Sequence, residues 1–304
     1  MVTNPSTCIK RAFVTGATGI VGASLCRKLV DIGVDVKAYS RSPGAQSLPE
    51  EVEYIQGDIL DVPNIVTAAA EAEVIFHLAA AVHGSVSTDS QFEEMNVIGT
   101  SNVINAADVV GAKFIHVSTV NVKGFRDGYL TDAYAVTKSR AEDLVVESAR
   151  NGLRTVTVRA GTVFGNEVGR AGSIVERLIS NSLKVLPAPN RKISPVWSDD
   201  LAMALIRASD VGELGRTYTV AGPTQTTSEF VKAICSAGNF NKPLVYVPAW
   251  LFAVPLQLAW WGKTLTRWVP PVSVESLLNE SIHDGSEAAN ELGFTYTPLD
   301  QIFG

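Results

Sequence analysis

The sequence has few of the residues that build metal sites, disulfide frameworks or nucleic-acid surfaces. Its three cysteines, Cys8, Cys26 and Cys235, lie far apart, so no paired spacing indicates a zinc site or a redox pair. An odd count without a framework favours a reducing compartment, and the polar segment 1–9 lacks a secretory pattern, so we expect a cytoplasmic location. The formal net charge is -6 with no lysine or arginine block, which argues against a nucleic-acid partner.

Long apolar runs are also missing, with one partial exception. Residues 249–261 are almost entirely apolar and are followed by Lys263 and Arg267. Because this run is shorter than the roughly 20 residues that cross a bilayer, we expect no integral membrane span. Three interpretations of segment 249–268 stay open: a helix packed inside the protein, a lid over a site, and a peripheral membrane contact.

Strand and helix patterns alternate through the first half of the 304 residues. The predicted strands are 12–15, 34–39, 52–56, 74–78, 113–118 and 154–159, and the predicted helices between them are 20–30, 62–72, 89–110 and 132–150. Such alternation indicates a parallel sheet covered on both faces. We therefore predict an α/β fold, a Rossmann-type doubly wound parallel sheet with a smaller C-terminal substrate lobe. The dinucleotide-binding domain spans 1–160, and 161–304 forms mostly the lobe, with some elements returning to the sheet.

Three glycines stand between the first strand and the first helix. Gly16 permits a tight turn, Gly19 lets the backbone approach a pyrophosphate, and Gly22 lets the helix pack on the strand. The helix N-terminus offers free N–H groups to phosphates. A plain tight turn is the alternative, but the position after the first strand favours a dinucleotide site that includes Thr18 and Ile20.

The end of the second strand bears on the choice of cofactor. An NAD enzyme usually has an acidic residue there, whereas this strand ends in Ser40 and Arg41, and Asp35 lies at its other end. Arg41 can pair with a 2′-phosphate and Ser40 can hydrogen-bond it. We expect NADP as the preferred cofactor and NAD as the alternative, although Arg41 can also be a solvated loop residue.

A tyrosine and a lysine four residues apart form the candidate catalytic pair. Tyr134 and Lys138 share one face of a predicted helix, and no other tyrosine has a lysine at that offset. A nearby ammonium lowers a tyrosine pKa, which prepares Tyr134 to exchange a proton with a carbonyl oxygen while hydride moves on the cofactor. Lys138 can also reach a ribose hydroxyl, and Thr119 can donate to the same substrate oxygen. An ordinary surface pair is the alternative.

Taken in order, these motifs resemble the extended short-chain dehydrogenase/reductase family, also called the NAD-dependent epimerase/dehydratase family. The matching segments are 15–22, 57–59, 77–80, 96–100, 114–124, 134–138, 159–165 and 291–294. The resemblance implies that Asp58, with Ile59, meets the adenine and that Leu78, Ala79 and Ala80 lie against the cofactor. It also implies a homodimer through the helices at 89–110 and 132–150.

Departures from the family pattern narrow the chemistry. Val120 and Asn121 follow Thr119, where sugar-nucleotide dehydratases have an aspartate and a glutamate, so we reject dehydration. Ala160 stands where a proline is common, and Thr162 where sugar-nucleotide enzymes often have asparagine. These two residues argue against a standard sugar-nucleotide epimerase.

Several polar residues favour a nucleotide-sugar substrate all the same. Segments 80–83 and 190–194 are similar to the branch that reduces UDP-linked 4-keto sugars. Arg191 and Lys192 can meet a diphosphate, and His83 can donate to the substrate. We predict a nucleotide-sugar 4-keto reductase or epimerase, with His83, Asn121 and Arg191 as substrate contacts. The alternatives are that the two cations face solvent and that His83 only packs.

Two other functions stay open. The tryptophan-rich stretch with Trp250, Trp260, Trp261 and Trp268 favours a 3-beta-hydroxysteroid-like dehydrogenase or a reductase of an apolar alcohol. A non-catalytic NADP sensor on the same fold is the third hypothesis, and the intact tyrosine–lysine pair argues against it. The pattern leaves open whether the net reaction is reduction, oxidation or epimerisation.

Overall fold

A central sheet of parallel strands organises the protein. The computed structural model describes residues 7–41, 43, 47–82, 85–86, 88–165, 174–243, 245–251 and 279–302. Within these ranges the sheet is formed by β1 (Arg11–Thr15), β2 (Asp35–Ser40), β3 (Glu53–Gln56), β4 (Val74–His77), β5 (Lys113–Thr119), β6 (Thr155–Ala160) and β11 (Thr217–Val220). Their spatial order is β11-β6-β5-β4-β1-β2-β3, with every neighbouring pair parallel. The Rossmann-type prediction is confirmed.

Helices connect these strands and cover both faces. They are α1 (Ile20–Asp31), α2 (Val62–Ala68), α3 (Asp89–Glu93), a π-helical turn (Glu94–Ile98), α4 (Gly99–Val110), α5 (Asn121–Arg126), α6 (Ala133–Arg150), α7 (Ile174–Ile179), α8 (Ser198–Val211), α9 (Thr227–Ala237), α10 (Ser286–Leu292) and a 3-10 turn (Leu299–Gln301). Asp132 begins α6 by accepting a hydrogen bond from the Ala135 backbone N–H at 3.0 Å. This cap fixes where Tyr134 enters the helix.

Two apolar cores lie on opposite faces of the sheet. On one face, α1 and α8 pack through Leu25, Leu29 and Leu205. On the other face, α2, α4 and α6 pack through residues such as Val103 and Val145. Because both faces are covered, the strands are nearly continuous runs of buried residues, as expected for a parallel sheet.

Shorter elements build the second half of the chain. β7 (Thr162–Phe164) pairs with β10 (Pro195–Trp197), β8 (Val185–Pro187) pairs with β13 (Val245–Val247), and β9 (Lys192–Ile193) pairs with β12 (Gln225–Thr226). A third apolar cluster packs β7, β8 and β9 against α7 and α9, with Phe164 and Phe230 in edge-to-face contact at 4.9 Å between ring centroids. This part lies beyond the carboxyl end of β6, where ligands bind in sheets of this type.

Two helices differ from the sequence-based prediction. The helix predicted over 89–110 contains the π-helical turn Glu94–Ile98, and the helix predicted over 62–72 ends at Ala68. The π turn lets the Asn96 side chain turn into the protein, where it hydrogen-bonds the Ala81 backbone. Glu71 adopts a φ of 68°, which is outside the right-handed helical region, so the helix does not continue to residue 72 as predicted.

Candidate active site

The loop between β1 and α1 is shaped by two close backbone approaches. Gly16 has a φ of 69°, and a Cβ placed there would stand 2.6 Å from the Ala79 backbone nitrogen. A Cβ on Gly22 would stand 2.4 Å from the Gly16 carbonyl oxygen. Gly19 precedes α1, and no side chain caps its first turn. The Gly16 and Gly19 N–H groups hold the turn together by donating to the Tyr39 and Gly16 carbonyls, and the N-terminal end of α1 beside these small residues fits the pyrophosphate of a dinucleotide.

The residues expected around the adenosine lie at the neighbouring strand ends. The buried Ser40 hydroxyl is 2.8 Å from that of Thr18, whereas Arg41 is exposed and its Nη1 lies 3.6 Å from the Met95 sulfur. The Asp58 carboxylate accepts a hydrogen bond from the Leu60 backbone N–H at 3.0 Å. The Arg41 guanidinium is thus exposed directly after β2, next to Met95.

Ile59 and the segment after β4 complete this edge of the sheet. Ile59 is buried, and a Cβ on Gly99 would lie 2.3 Å from its side chain. Leu78, Ala79 and Ala80 are half-buried directly after β4. The Leu78 and Ala79 backbone N–H groups both point to Thr15, at 3.2 Å from its carbonyl oxygen and 3.4 Å from its hydroxyl.

A buried histidine joins the two sides of this cradle. His77 Nδ1 lies 2.8 Å from the Thr15 hydroxyl, and its Nε2 lies 3.0 Å from the Thr100 hydroxyl. The Thr100 hydroxyl donates to the Asn96 carbonyl at 2.6 Å, so it accepts from Nε2–H, and Nδ1 accepts from Thr15. Burial, with Lys138 second, lowers the pKa of His77 to about 3, which keeps the imidazole neutral.

Thr119, Tyr134 and Lys138 are brought together where β5 ends against α6. The hydroxyls of Thr119 and Tyr134 are hydrogen-bonded to each other. The Asn121 backbone N–H donates to the Thr119 hydroxyl at 3.3 Å, and Lys138 Nζ donates to the Val117 carbonyl at 2.8 Å. Lys138 is 3% exposed, so its ammonium is a buried charge one helical turn after Tyr134 on α6.

Burial dominates the titration of this pair. Burial raises the pKa of Tyr134 to about 12; Thr119 opposes this rise and Asp132 adds to it. Burial lowers the pKa of Lys138 to about 8, and the carboxylate of Glu142 opposes the change. The expectation that the ammonium lowers the pKa of Tyr134 below its ordinary value is therefore not met, because the loss of hydration dominates the shift.

The predicted substrate contacts fall into two groups. Asn121 and Arg191 line one small cavity of about 20 Å³, together with His283 and Glu280. Arg191 Nε donates to the Asn279 carbonyl at 2.7 Å, and burial lowers the pKa of the guanidinium, with Glu280 opposing. His83 lies outside the described residues, as does 252–268 of the apolar segment.

Sequence reasoning missed a buried ion cluster beside the catalytic pair. Glu142 accepts two hydrogen bonds from Arg159, at 2.8 and 2.6 Å, and Arg126 approaches it at 3.4 Å. The available signal was an acidic residue one helical turn after Lys138 on the same face. Its arginine partners come from other elements, so the pairing was not legible in the linear sequence.

The part of the chain that the structure describes offers no group of three or more His, Cys, Asp or Glu residues suited to a metal ion. Nor, over that part, is any helix long and apolar enough to cross a membrane.

The glycine loop at the switch point of a Rossmann sheet, with a tyrosine–lysine pair beside it, defines a dinucleotide-dependent oxidoreductase or epimerase. A model of the NAD dependent epimerase/dehydratase family matches residues 12–221. The chain belongs to this family, as the motifs predicted. The enzyme prediction is confirmed at the level of an NAD(P)-dependent oxidoreductase or epimerase.

Curated relatives act on several kinds of compound. The 2-alkyl-3-oxoalkanoate reductase of Stenotrophomonas maltophilia is 30% identical over 210 residues, which cover 64% of this chain and 63% of that protein. The chain thus spans under two thirds of that relative. The 3 beta-hydroxysteroid dehydrogenase/Delta 5-->4-isomerase of Mycobacterium tuberculosis is 29% identical, with 97% of this chain and 88% of the relative covered.

Solved structures share the fold. The UDP-glucose 4-epimerase of Thermotoga maritima, with UDP-glucose, has a TM-score of 0.78 at 20% identity and covers 96% of both chains. The UDP-N-acetylglucosamine 4-epimerase of Methanobrevibacter ruminantium M1, in complex with UDP-N-acetylmuramic acid, has a TM-score of 0.75 at 19% identity and covers 97% of both. At these identities the likeness supports the fold alone.

Proposed function

We propose that the protein interconverts a secondary alcohol and a ketone, with Tyr134 as the proton-transfer residue. The observation that carries this proposal is the hydrogen bond between Thr119 and Tyr134 beside the buried Lys138. A bound nicotinamide supplies or accepts the hydride. Gly16, Thr18, Gly19 and Ile20 would hold its pyrophosphate.

The raised pKa of the Tyr134 phenol suits the reductive direction. With a pKa of about 12, Tyr134 is protonated at neutral pH and holds a proton for the developing alkoxide. Thr119 donates a hydrogen bond to the same oxygen, which directs the carbonyl toward the phenol. The Lys138 ammonium then stabilises the phenolate that remains, because an opposite charge favours the ionised form.

The cofactor preference we propose is NADP over NAD. Arg41 is exposed at the end of β2, so its guanidinium is able to swing onto a 2′-phosphate. Ser40 is already 2.8 Å from Thr18 and helps to fix this corner. The role of Asp58 and Ile59 beside the adenine, and of Leu78 to Ala80 beside the nicotinamide half, belongs to the same proposal.

For the substrate we favour an apolar ketone or alcohol over a nucleotide sugar. Relatives named for hydroxysteroids cover 96–97% of this chain at 25–29% identity, whereas the nucleotide-sugar epimerases named above are 19–20% identical. Trp250 is 67% exposed and Leu251 is 47% exposed, so the start of the apolar segment offers a contact for an apolar substrate or a membrane surface.

A nucleotide sugar is the second candidate, and Arg191 supports it. Its half-buried guanidinium donates to a backbone carbonyl through Nε, and Arg191 lines the same small cavity as Asn121, which closely follows Thr119. A phosphate would complete its hydrogen bonding. In this interpretation Asn121, Arg191 and His83 would contact the substrate.

We also propose a cytoplasmic homodimer with its contact on α4 and α6. Ile98, directly before α4, and Val109, near its end, are 48% and 62% exposed, and Val146 on α6 is 39% exposed. Isolated apolar residues are common at surfaces, but three on two adjoining helices favour a helical interface. The division into a cofactor domain (1–160) and a substrate lobe (161–304) remains part of this proposal.

A turnover panel separates the substrate classes. We expect NADPH-dependent reduction of a 3-ketosteroid or a long-chain 3-oxo compound. In ligand-observed NMR we expect the signals of UDP to show no binding to the protein. A matched Arg191→Met variant should keep this activity within about threefold, which is below 1 kcal/mol. If UDP binds to the wild type and Arg191→Met abolishes that binding, the nucleotide-sugar candidate is established instead. If the protein reduces no compound of either class, the oxidoreductase proposal is refuted for both substrate classes.

A further inference from the structure

Glu142 is a buried carboxylate held between two arginines. Its side chain is on α6 and only 2% of the residue is exposed. Arg159, on β6, donates from Nε to one carboxylate oxygen at 2.8 Å and from Nη2 to the other at 2.6 Å. Such a fork fixes both the position and the orientation of the carboxylate.

The second arginine links this carboxylate to the helix that follows Thr119. Arg126 ends α5, and its Nη2 lies 3.4 Å from Glu142 and 2.8 Å from Asp143. Its Nε donates to the Ser139 hydroxyl at 3.2 Å. The cluster therefore ties α5 and β6 to α6, the helix that carries Tyr134 and Lys138.

Glu142 also lies one helical turn beyond Lys138 on the same face. Tyr134 precedes Lys138 by one helical turn on the same face, and Lys138 lowers the pKa of two buried imidazoles, His77 on β4 and His116 on β5. Burial lowers the pKa of both imidazoles, so they stay neutral while the lysine titrates. The Glu142 carboxylate is then the anion that acts on this ammonium among the described residues.

Other charged groups on the elements packed against α6 have partners at the surface. Glu93, on α3, accepts a hydrogen bond from Arg140 at 2.6 Å, and Arg140 is half-exposed. Lys123, on α5, pairs with Asp127. These pairs are screened by solvent and change a buried charge little.

We propose that Glu142 is a positioning residue of the hydride-transfer site, which aligns α6 with α5 and β6 and supports the charge of Lys138. The inference rests on the proposed function, in which the Lys138 ammonium stabilises the Tyr134 phenolate. Glu142 therefore acts indirectly, through the position of α6 and the charge of Lys138. Arg159 and Arg126 hold the carboxylate where this action is strongest.

The sign of the effect follows from two opposing influences on the pKa of Lys138, its burial and the charge of Glu142. Burial already lowers the pKa of Lys138 to about 8, and Glu142 opposes that change. Without the carboxylate charge the lysine loses its proton at lower pH. If the reaction needs the ammonium, its rate begins to fall at a lower pH when the pH is raised. The alkaline limb of the pH–rate profile therefore moves toward neutrality.

The test is a titration of Lys138 by NMR in the full chain without substrate, in wild type and Glu142→Gln. The Lys138 signal is assigned by its loss in Lys138→Arg. We expect the midpoint in Glu142→Gln to fall by about one pH unit or more. In parallel, the reduction rate above both midpoints should fall about tenfold. Glu147→Gln, the same change on the exposed side of α6, should leave both readouts at wild-type values.

Two further variants separate charge from packing. Glu142→Asp keeps the charge, so the Lys138 midpoint should stay near the wild-type value. The shorter side chain cannot accept both hydrogen bonds from Arg159, so kcat should fall. The paired variant Glu142→Gln with Arg159→Gln leaves no isolated buried charge and should reproduce the shift if the single variant does not fold. An unmoved Lys138 midpoint in the neutral variant that folds, or an equal shift in Glu142→Asp, overturns the proposal. The NMR midpoint is independent of turnover, so a protein that fails the substrate panel still tests this inference.

Discussion

The two halves of the site are built in different ways. At the cofactor end the structure is made by backbone: Gly16 and Gly22 approach other backbone atoms so closely that a Cβ would stand 2.6 and 2.4 Å from them. At the catalytic end it is made by buried polar side chains, among them Lys138 at 3% and Glu142 at 2% exposed. A change at the first end acts through shape, whereas a change at the second acts through charge.

This difference shows why the two ends respond to different experiments. Steric changes at the glycine loop alter affinity and stability, and no change of pH restores them. Charge changes beside Lys138 move a titration midpoint, since the group is desolvated and its partners are fixed. The predictions that follow test this distinction at the cofactor end, beginning with the largest expected effect.

The largest effect at the cofactor end is expected for Gly16→Ala. The new methyl group would meet the Ala79 backbone, which cannot rotate away, and φ is 69°. We expect cofactor affinity to fall at least tenfold, by isothermal titration, with a loss of about 2 kcal/mol or more in the free energy of unfolding.

Gly33→Ala is the matched control for that change. Gly33 has a φ of 81°, but a Cβ there meets nothing within 4 Å. The backbone strain alone should cost about 1 kcal/mol of stability. Cofactor affinity should stay at the wild-type value, and an equal loss of affinity in both variants would show that strain rather than the close approach controls the loop.

A smaller effect is expected for Arg41→Ala. Loss of the guanidinium removes a charge-assisted contact of about 1.5 kcal/mol to a 2′-phosphate, so the ratio of NADPH to NADH affinities should fall about tenfold. Arg150→Ala removes an exposed cation at the C-terminal end of α6 and should leave the ratio unchanged. If Arg41→Ala also leaves it unchanged, Arg41 is a solvated loop residue.

The sequence predicted much of the first half of the fold. The strands at β1, β2 and β5 were placed within about two residues, because buried parallel strands form short apolar runs bounded by glycine or polar turns. The π-helical turn at Glu94–Ile98 was not predicted, since a helical pattern does not reveal one extra residue in a turn. Local periodicity thus identifies elements but not their irregularities.

Within the site, sequence reasoning placed the pair Tyr134 and Lys138 beside Thr119 but misjudged the electrostatics. Spacing shows which residues share a helix face, yet the extent of their burial depends on what the sheet packs against them. Burial is what raises the pKa of Tyr134 to about 12. The Arg126–Glu142–Arg159 cluster was missed for the same reason, because its members come from three elements.

Tyr134→Phe gives the most direct test of the central claim, that this protein transfers hydride with Tyr134 as the proton-transfer residue. The variant keeps the ring and removes the hydroxyl that Thr119 contacts. With a ketone identified by the panel, the single-turnover rate of hydride transfer should fall about 100-fold or more, with NADPH affinity unchanged. An equal rate in wild type and Tyr134→Phe would contradict the account.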